Sequence, residues 1–160
     1  MERFLILALT AAAFAADPIV PSAPKLDTDG CYAISTAEEL YGFADIVNAS
    51  KTHDECGKLT ADIYVNWESW NYTNYWVPIE LFRGVFDGQN HTIENLYYSA
   101  YQFSKDSTSS VGLFGELRGW TRNDGSIEKP AVVKNLGIID NDFLVRVVTA
   151  LLQGRPMLQK

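Results

Sequence analysis

The sequence predicts a mainly-β fold, a short parallel β-helix of few coils with one α-helix near its N-terminal entrance. Three observations carry that reading. Between residues 58 and 140 no helical period appears, and the apolar runs are short, β-branched or aromatic, and separated by Gly, Asn and Asp. Two short patterns recur in this stretch with loops of unequal length, as in a solenoid whose turns vary from coil to coil. Ahead of it, one capping signal introduces one amphipathic helical segment. The competing architecture is an antiparallel β-sandwich, in which Asp87-Gly88 would form a hairpin turn.

The 160 residues are 47% apolar and 21% charged, which suits a single domain with a hydrophobic core. A formal charge of -7 is the wrong sign for gripping phosphates, so nucleic acid is not an expected partner. Residues 1–15 place Arg3 before an apolar run and end in Ala13-Phe14-Ala15, the pattern of a secretory signal peptide cleaved after Ala15. The apolar run is far shorter than the ~20 residues of a membrane span, so the expected product is secreted or held at the cell surface without a transmembrane anchor. Residues 16–28 include Pro18, Pro21 and Pro24 and read as an extended spacer.

The domain is expected over residues 29–142. Its two cysteines, Cys31 and Cys56, lie in the exported part, where an oxidising compartment lets thiols pair; two isolated buried thiols are the alternative. Gly30-Cys-Tyr-Ala-Ile34 alternates as a strand does, and Thr36 with Glu39 forms a capping box. The helix that follows places Leu40, Phe43, Ala44 and Val47 on one face and stops at Asn48-Ala-Ser-Lys. Leu59, Ala61, Ile63 and Val65 then alternate along a second strand, so the helix joins two strands.

Further strands are expected at 77–79, 84–86, 92–98, 111–114 and 132–139. Ile93-Glu-Asn-Leu96 and Val133-Lys-Asn-Leu136 share one pattern; Gly84-Val-Phe86 and Gly112-Leu-Phe114 share another. In stacked coils equivalent side chains form ladders, and Asn tolerates the left-handed backbone of a tight corner, so Asn95 and Asn135 are a candidate ladder. Asp87-Gly88-Gln89-Asn90 is turn chemistry, with Gly88 and Asn90 suited to positive φ and Asp87 to a structural role.

The series Trp76-Val-Pro-Ile79, Phe82-Arg-Gly-Val-Phe-Asp-Gly-Gln-Asn-His-Thr-Ile93, Val111-Gly-Leu-Phe-Gly115 and Val133-Lys-Asn-Leu-Gly137 resembles secreted bacterial proteins with GLUG motifs. The resemblance covers about residues 30 to 142 and implies a right-handed parallel β-helix of the pectin-lyase-like kind, within long surface or secreted chains. After Asp142 the resemblance ends. Residues 143–160 contain no acidic residue but Arg146, Arg155 and Lys160. They read either as an amphipathic helical cap, with Phe143, Leu144, Val147, Val148, Leu151 and Leu152 on one face, or as the product of truncation or frameshift.

Catalytic chemistry has few candidates. Asp87, His91 and Glu94 are close in sequence behind Arg83, but the acid sits in a turn that recurs as structure in the resembling family, and no catalytic residue is assigned. His53, in a polar segment, is expected to be solvated. No metal or cofactor is expected, since neither acidic turn, at 27–29 or 140–142, carries a complete calcium-loop sequence. Binding is favoured instead. Trp67, Trp70, Tyr72, Tyr75 and Trp76 fall within ten residues among Asn, Ser and Thr, a composition that matches the apolar faces and hydroxyl edges of sugars. The resemblance implies that Trp76 belongs to the first coil's core; Trp67, Trp70, Tyr72 and Tyr75 are the candidate ligand contacts, the alternative being that Trp67 and Trp70 cover one end of the stack. The expected function is an exported interaction module, carbohydrate-binding or adhesin-like, with extracellular polysaccharide or cell-surface components as partners. A remnant of a polysaccharide-degrading enzyme, or a non-functional gene fragment, is the alternative.

Overall fold

The computed structural model describes residues 18–66, 74–98 and 112–139. The expected signal peptide with its cleavage site, and the tail 143–160, lie outside the described residues. Within them the chain runs β1 (Lys25–Leu26), β2 (Tyr32–Ile34), α1 (Ala37–Ala49), β3 (Cys56–Leu59), β4 (Ile63–Tyr64), β5 (Ile79–Phe82), β6 (Val85–Asp87), β7 (Thr92–Glu94), β8 (Phe114–Leu117), β9 (Trp120–Thr121), β10 (Ile127–Lys129), β11 (Val132–Lys134) and β12 (Gly137–Ile139). The fold is mainly β with one helix.

The helix begins where its capping chemistry dictates. The Thr36 side chain accepts from Glu39 N–H at 3.2 Å, while the Glu39 carboxylate accepts from the backbone N–H of Ser35 at 2.7 Å. Leu40, Phe43, Ala44 and Val47 are buried, the face the spacing predicts. His53 does not stand free in solvent: its Nδ1 lies 2.9 Å from the carbonyl of Val47, at the C-terminal end of the helix.

Most of the strands pair in parallel. One sheet runs β1-β2-β3-β6-β11, a second β4-β7-β12 and a third β5-β8, with β9 and β10 forming a separate antiparallel hairpin. Among the described residues, only the β1–β2 pair besides that hairpin is antiparallel. The sandwich alternative therefore fails. β6 and β7, on either side of the Asp87-Gly88 turn, belong to different sheets, so that turn is a corner between sheets and not a hairpin. The expected strand over 59–65 is likewise two strands, β3 and β4, meeting at a corner, although Leu59, Ile63 and Val65 all point into the core.

Register aligns the core in columns. Gly57, Phe86 and Val133 are neighbours across the first sheet; Ile63, Ile93 and Ile138 across the second; Ile79 and Phe114 across the third. The Phe43 ring of α1 reaches into this core, 6.4 Å from Phe82 and 5.7 Å from Phe86, and Phe114 lies 4.7 Å and 5.5 Å from the same two rings. Such a continuous aromatic column contributes pair energy beyond the area it buries.

The stretch read as a spacer lies against the domain in its described part. Ile19 N–H donates to Asn74 Oδ1 at 2.7 Å, Ser22 N–H donates to the carbonyl of Glu38 at 2.9 Å, Pro24 is buried and β1 pairs with β2. The prolines dictate extended backbone; whether that backbone docks depends on the helix. Gly42 of α1 makes room for it, because a Cβ there would collide with the Ser22 carbonyl. Cys31, just before β2, is bonded to Cys56 of the adjacent β3, with Cα atoms 4.5 Å apart. No described helix is long and apolar enough to cross a membrane.

Candidate ligand-binding surface

The aromatic segment is bracketed by two buried asparagines. Asn66 Oδ1 accepts from Asn74 N–H at 3.1 Å, and Asn66 Nδ2 donates to the carbonyls of Asn74 and Asn95 at 3.2 and 2.9 Å. Asn95 Nδ2 returns a bond to the Asn66 carbonyl at 2.8 Å. Buried amides that satisfy one another in this way fix the backbone at Asn66, Asn74 and Asn95. Trp67, Trp70 and Tyr72 lie outside the described residues.

Tyr75 is described and faces outward. It bridges Tyr97 in parallel, the two rings 5.5 Å apart and tilted by 44°, and 37% of Tyr75 is exposed. Its neighbour Trp76 goes the other way, fully buried, with Nε1 donating to the carbonyls of Gly112 and Leu113, both at 3.2 Å. Alternation along extended backbone explains the split: successive side chains point to opposite faces. Tyr64 and Val77 are also exposed. Sequence reasoning missed Tyr97 and Tyr64. The signal for Tyr64 is its place between Ile63 and Val65, both inward; Tyr97 has the same place between Leu96 and Tyr98.

The structural asparagines and acids take defined positions, not all of them as expected. Asn95 and Asn135 both adopt positive φ, 56° and 53°. They do not form a ladder, because Asn135 turns the chain from β11 to β12 whereas Asn95 follows β7, in the second sheet. The shared four-residue pattern is a corner signature: an apolar strand residue, a left-handed Asn, then an inward Leu. Gln89 and Asn90 carry positive φ, 51° and 67°, but Gly88 does not. Gly88 is required for another reason, since a Cβ there would strike the Asn135 carbonyl of the next corner.

Asp87 is buried beneath these corners. Its Oδ1 accepts from Gln89 N–H at 3.0 Å and Asn135 Nδ2 at 3.1 Å, while Oδ2 meets Lys134 Nζ at 3.1 Å. The Gln89 N–H, then the Asn135 amide and the Lys134 ammonium, outweigh burial and hold its pKa at about 2. In register with it, Lys58 meets Asp27 at 2.8 Å and Asp29 at 2.6 Å. The result is a column of alternating charge across the first sheet. Each charge has a structural partner.

The other candidate catalytic groups are not brought together. His91 Nδ1 lies 3.1 Å from Asp62, Glu94 accepts from the Thr92 hydroxyl at 3.0 Å, and the Arg83 guanidinium lies 4.6 Å from the Trp120 ring centroid. Asp87 and Glu94 belong to different sheets. Among the described residues no group of three or more His, Cys, Asp or Glu side chains could hold a metal ion.

No family model matches the sequence, and no solved structure matches it. Halomucin from Haloquadratum walsbyi (strain DSM 16790 / HBSQ001) is 34% identical over 96 residues, which cover 54% of this chain and 1% of Halomucin. The chain is thus similar to a very small part of a much longer protein.

Proposed function

We propose that this chain is an exported, non-catalytic interaction module, built on a short right-handed parallel β-helix, that binds extracellular polysaccharide through its aromatic surface. One observation carries the binding reading: Tyr75 faces outward against Tyr97, their rings 5.5 Å apart, and in the sequence it closely follows Trp67, Trp70 and Tyr72. Tyrosine rings offer flat apolar area at low entropic cost, and polar tips that can bond sugar hydroxyls. The parallel columns, left-handed Asn corners and GLUG-like series support the β-helix. Residues 1–15 and the Cys31–Cys56 bond support export into an oxidising compartment.

Retention of the protein on a panel of insoluble polysaccharides tests the reading. Trp70→Ala and Tyr75→Ala should each weaken retention on the preferred polymer about tenfold, the loss of a stacking contact worth ~1 kcal/mol or more. Retention equal to wild type in both variants would overturn it. Turnover of a soluble pectin or glucan panel would instead favour an enzyme.

A further inference from the structure

The outer face of the second sheet carries exposed side chains that the Tyr75–Tyr97 pair does not account for. Tyr64 of β4 lies directly across from Glu94 of β7, and Ile139 of β12 lies across from Glu94 on the other side. Ile63 and Ile93 are buried and Ile138 packs against the core, so alternation turns Tyr64, Glu94 and Ile139 outward. Tyr64 is 55% exposed and Ile139 42%. The Tyr75–Tyr97 pair stands close by. Glu94 and Tyr97 are three residues apart, which puts their Cα atoms within ~11 Å of each other, and neighbouring strands are ~4.8 Å apart. Tyr64 beside Glu94 and Tyr75 beside Tyr97 therefore form a two-by-two array across the corner that Asn95 makes with its φ of 56°.

Charge decides which ligand this array can take. Residues 59–66, 74–78, 90–98 and 135–139, which build the second sheet and the chain beside it, contain Asp62 and Glu94 but no Lys or Arg. Asp62 is engaged within the fold, accepting from Thr92 N–H at 2.9 Å with His91 Nδ1 at 3.1 Å. Glu94 Oε1 accepts from the Thr92 hydroxyl at 3.0 Å, and a carboxylate has acceptor capacity for further donors. A uronate or sulfate polymer would meet two like charges here and, among the described residues, no cation. An uncharged sugar would meet the ring faces of Tyr64 and Tyr75, their phenol groups and a carboxylate that accepts from its hydroxyls. We propose that Tyr64 and Glu94 form a second subsite of the aromatic surface, taking an uncharged sugar from the same polymer chain that Tyr75 and Tyr97 contact, and that Glu94 turns acidic polymers away. This inference rests on the polysaccharide-binding reading above and adds to it two contact residues and a ligand class.

Retention of the full chain at low ionic strength on an uncharged glucan, a polyuronate and an amino-sugar polymer tests this. Wild type should be held best by the uncharged polymer, and Tyr64→Ala and Glu94→Gln should each weaken that retention by about threefold to tenfold. Glu94→Lys should strengthen retention on the polyuronate by about threefold or more, a gain that a misfolded variant would not show. If Tyr75→Ala weakens retention while Tyr64→Ala and Glu94→Gln match wild type, the second subsite is overturned and the polysaccharide reading stands. Wild-type preference for the polyuronate or the amino-sugar polymer overturns the ligand class, as does the absence of any gain with Glu94→Lys. Retention on none of the three polymers overturns this inference together with the reading beneath it.

Discussion

Asp87 concentrates the residue-scale physics of this protein. Its folded pKa of about 2 lies below the ordinary 3.8, so the charged form is the one the fold stabilises. That contribution is fully present above about pH 4 and disappears as the pH falls through about 2. Asp87→Asn is therefore expected to lower stability by about 1–3 kcal/mol at pH 6, with the gap to wild type closing between pH 4 and 2 in a series of urea titrations. A gap that persists at pH 2 would mean the carboxylate's charge is not what matters. The turn role of Asp87 and Asn90 was legible from residue type, since short polar side chains that tolerate left-handed backbone are a local property. Their partners were not. Lys134 and Asn135 reach Asp87 through the parallel pairing of β11 with β6, and the same pairing puts Asn135 at a different corner from Asn95.

At the scale of elements, α1 was the clearest feature in advance, because capping and period are encoded within a few residues. Its outer contacts were not encoded that way. Gly42 reads as a weak point of a helix, and at an exposed site Gly→Ala would stabilise by about 1 kcal/mol. Here the methyl would meet the Ser22 backbone, so Gly42→Ala is expected to destabilise by about 1–3 kcal/mol in chemical denaturation, with faster exchange of the Ser22 amide. Stabilisation would show that residues 18–26 are not docked in solution. The strands were harder to delimit. β4, β9 and β10 have two or three residues each, too few for alternation to register, and the hairpin at Asp124-Gly125 went unpredicted despite a recognisable turn pair.

For the molecule as a whole, the Cys31–Cys56 bond is the covalent tie. It links the backbone before β2 to the neighbouring β3 across a separation of 25 residues. Replacing both cysteines by serine is expected to lower stability by on the order of 3 kcal/mol, measured by thermal unfolding with and without reductant, to which the variant should be indifferent. The small size of the sheets makes that tie consequential, because a sheet of two to five short strands buries little core of its own.

The mainly-β class, the helix and its inward face, and the asparagines that turn corners were readable from the chain, since each rests on composition, period or a side chain's own backbone preference. Which strands lie side by side was not readable to the same degree. Parallel pairing joins residues far apart in sequence, and its register follows from the mutual fit of side chains in the core, which no local pattern records. The same holds for the aromatic surface. Tyr75 could be separated from the core as one of several aromatics, but its contact with the Tyr97 ring exists only because the chain returns beside it one layer later.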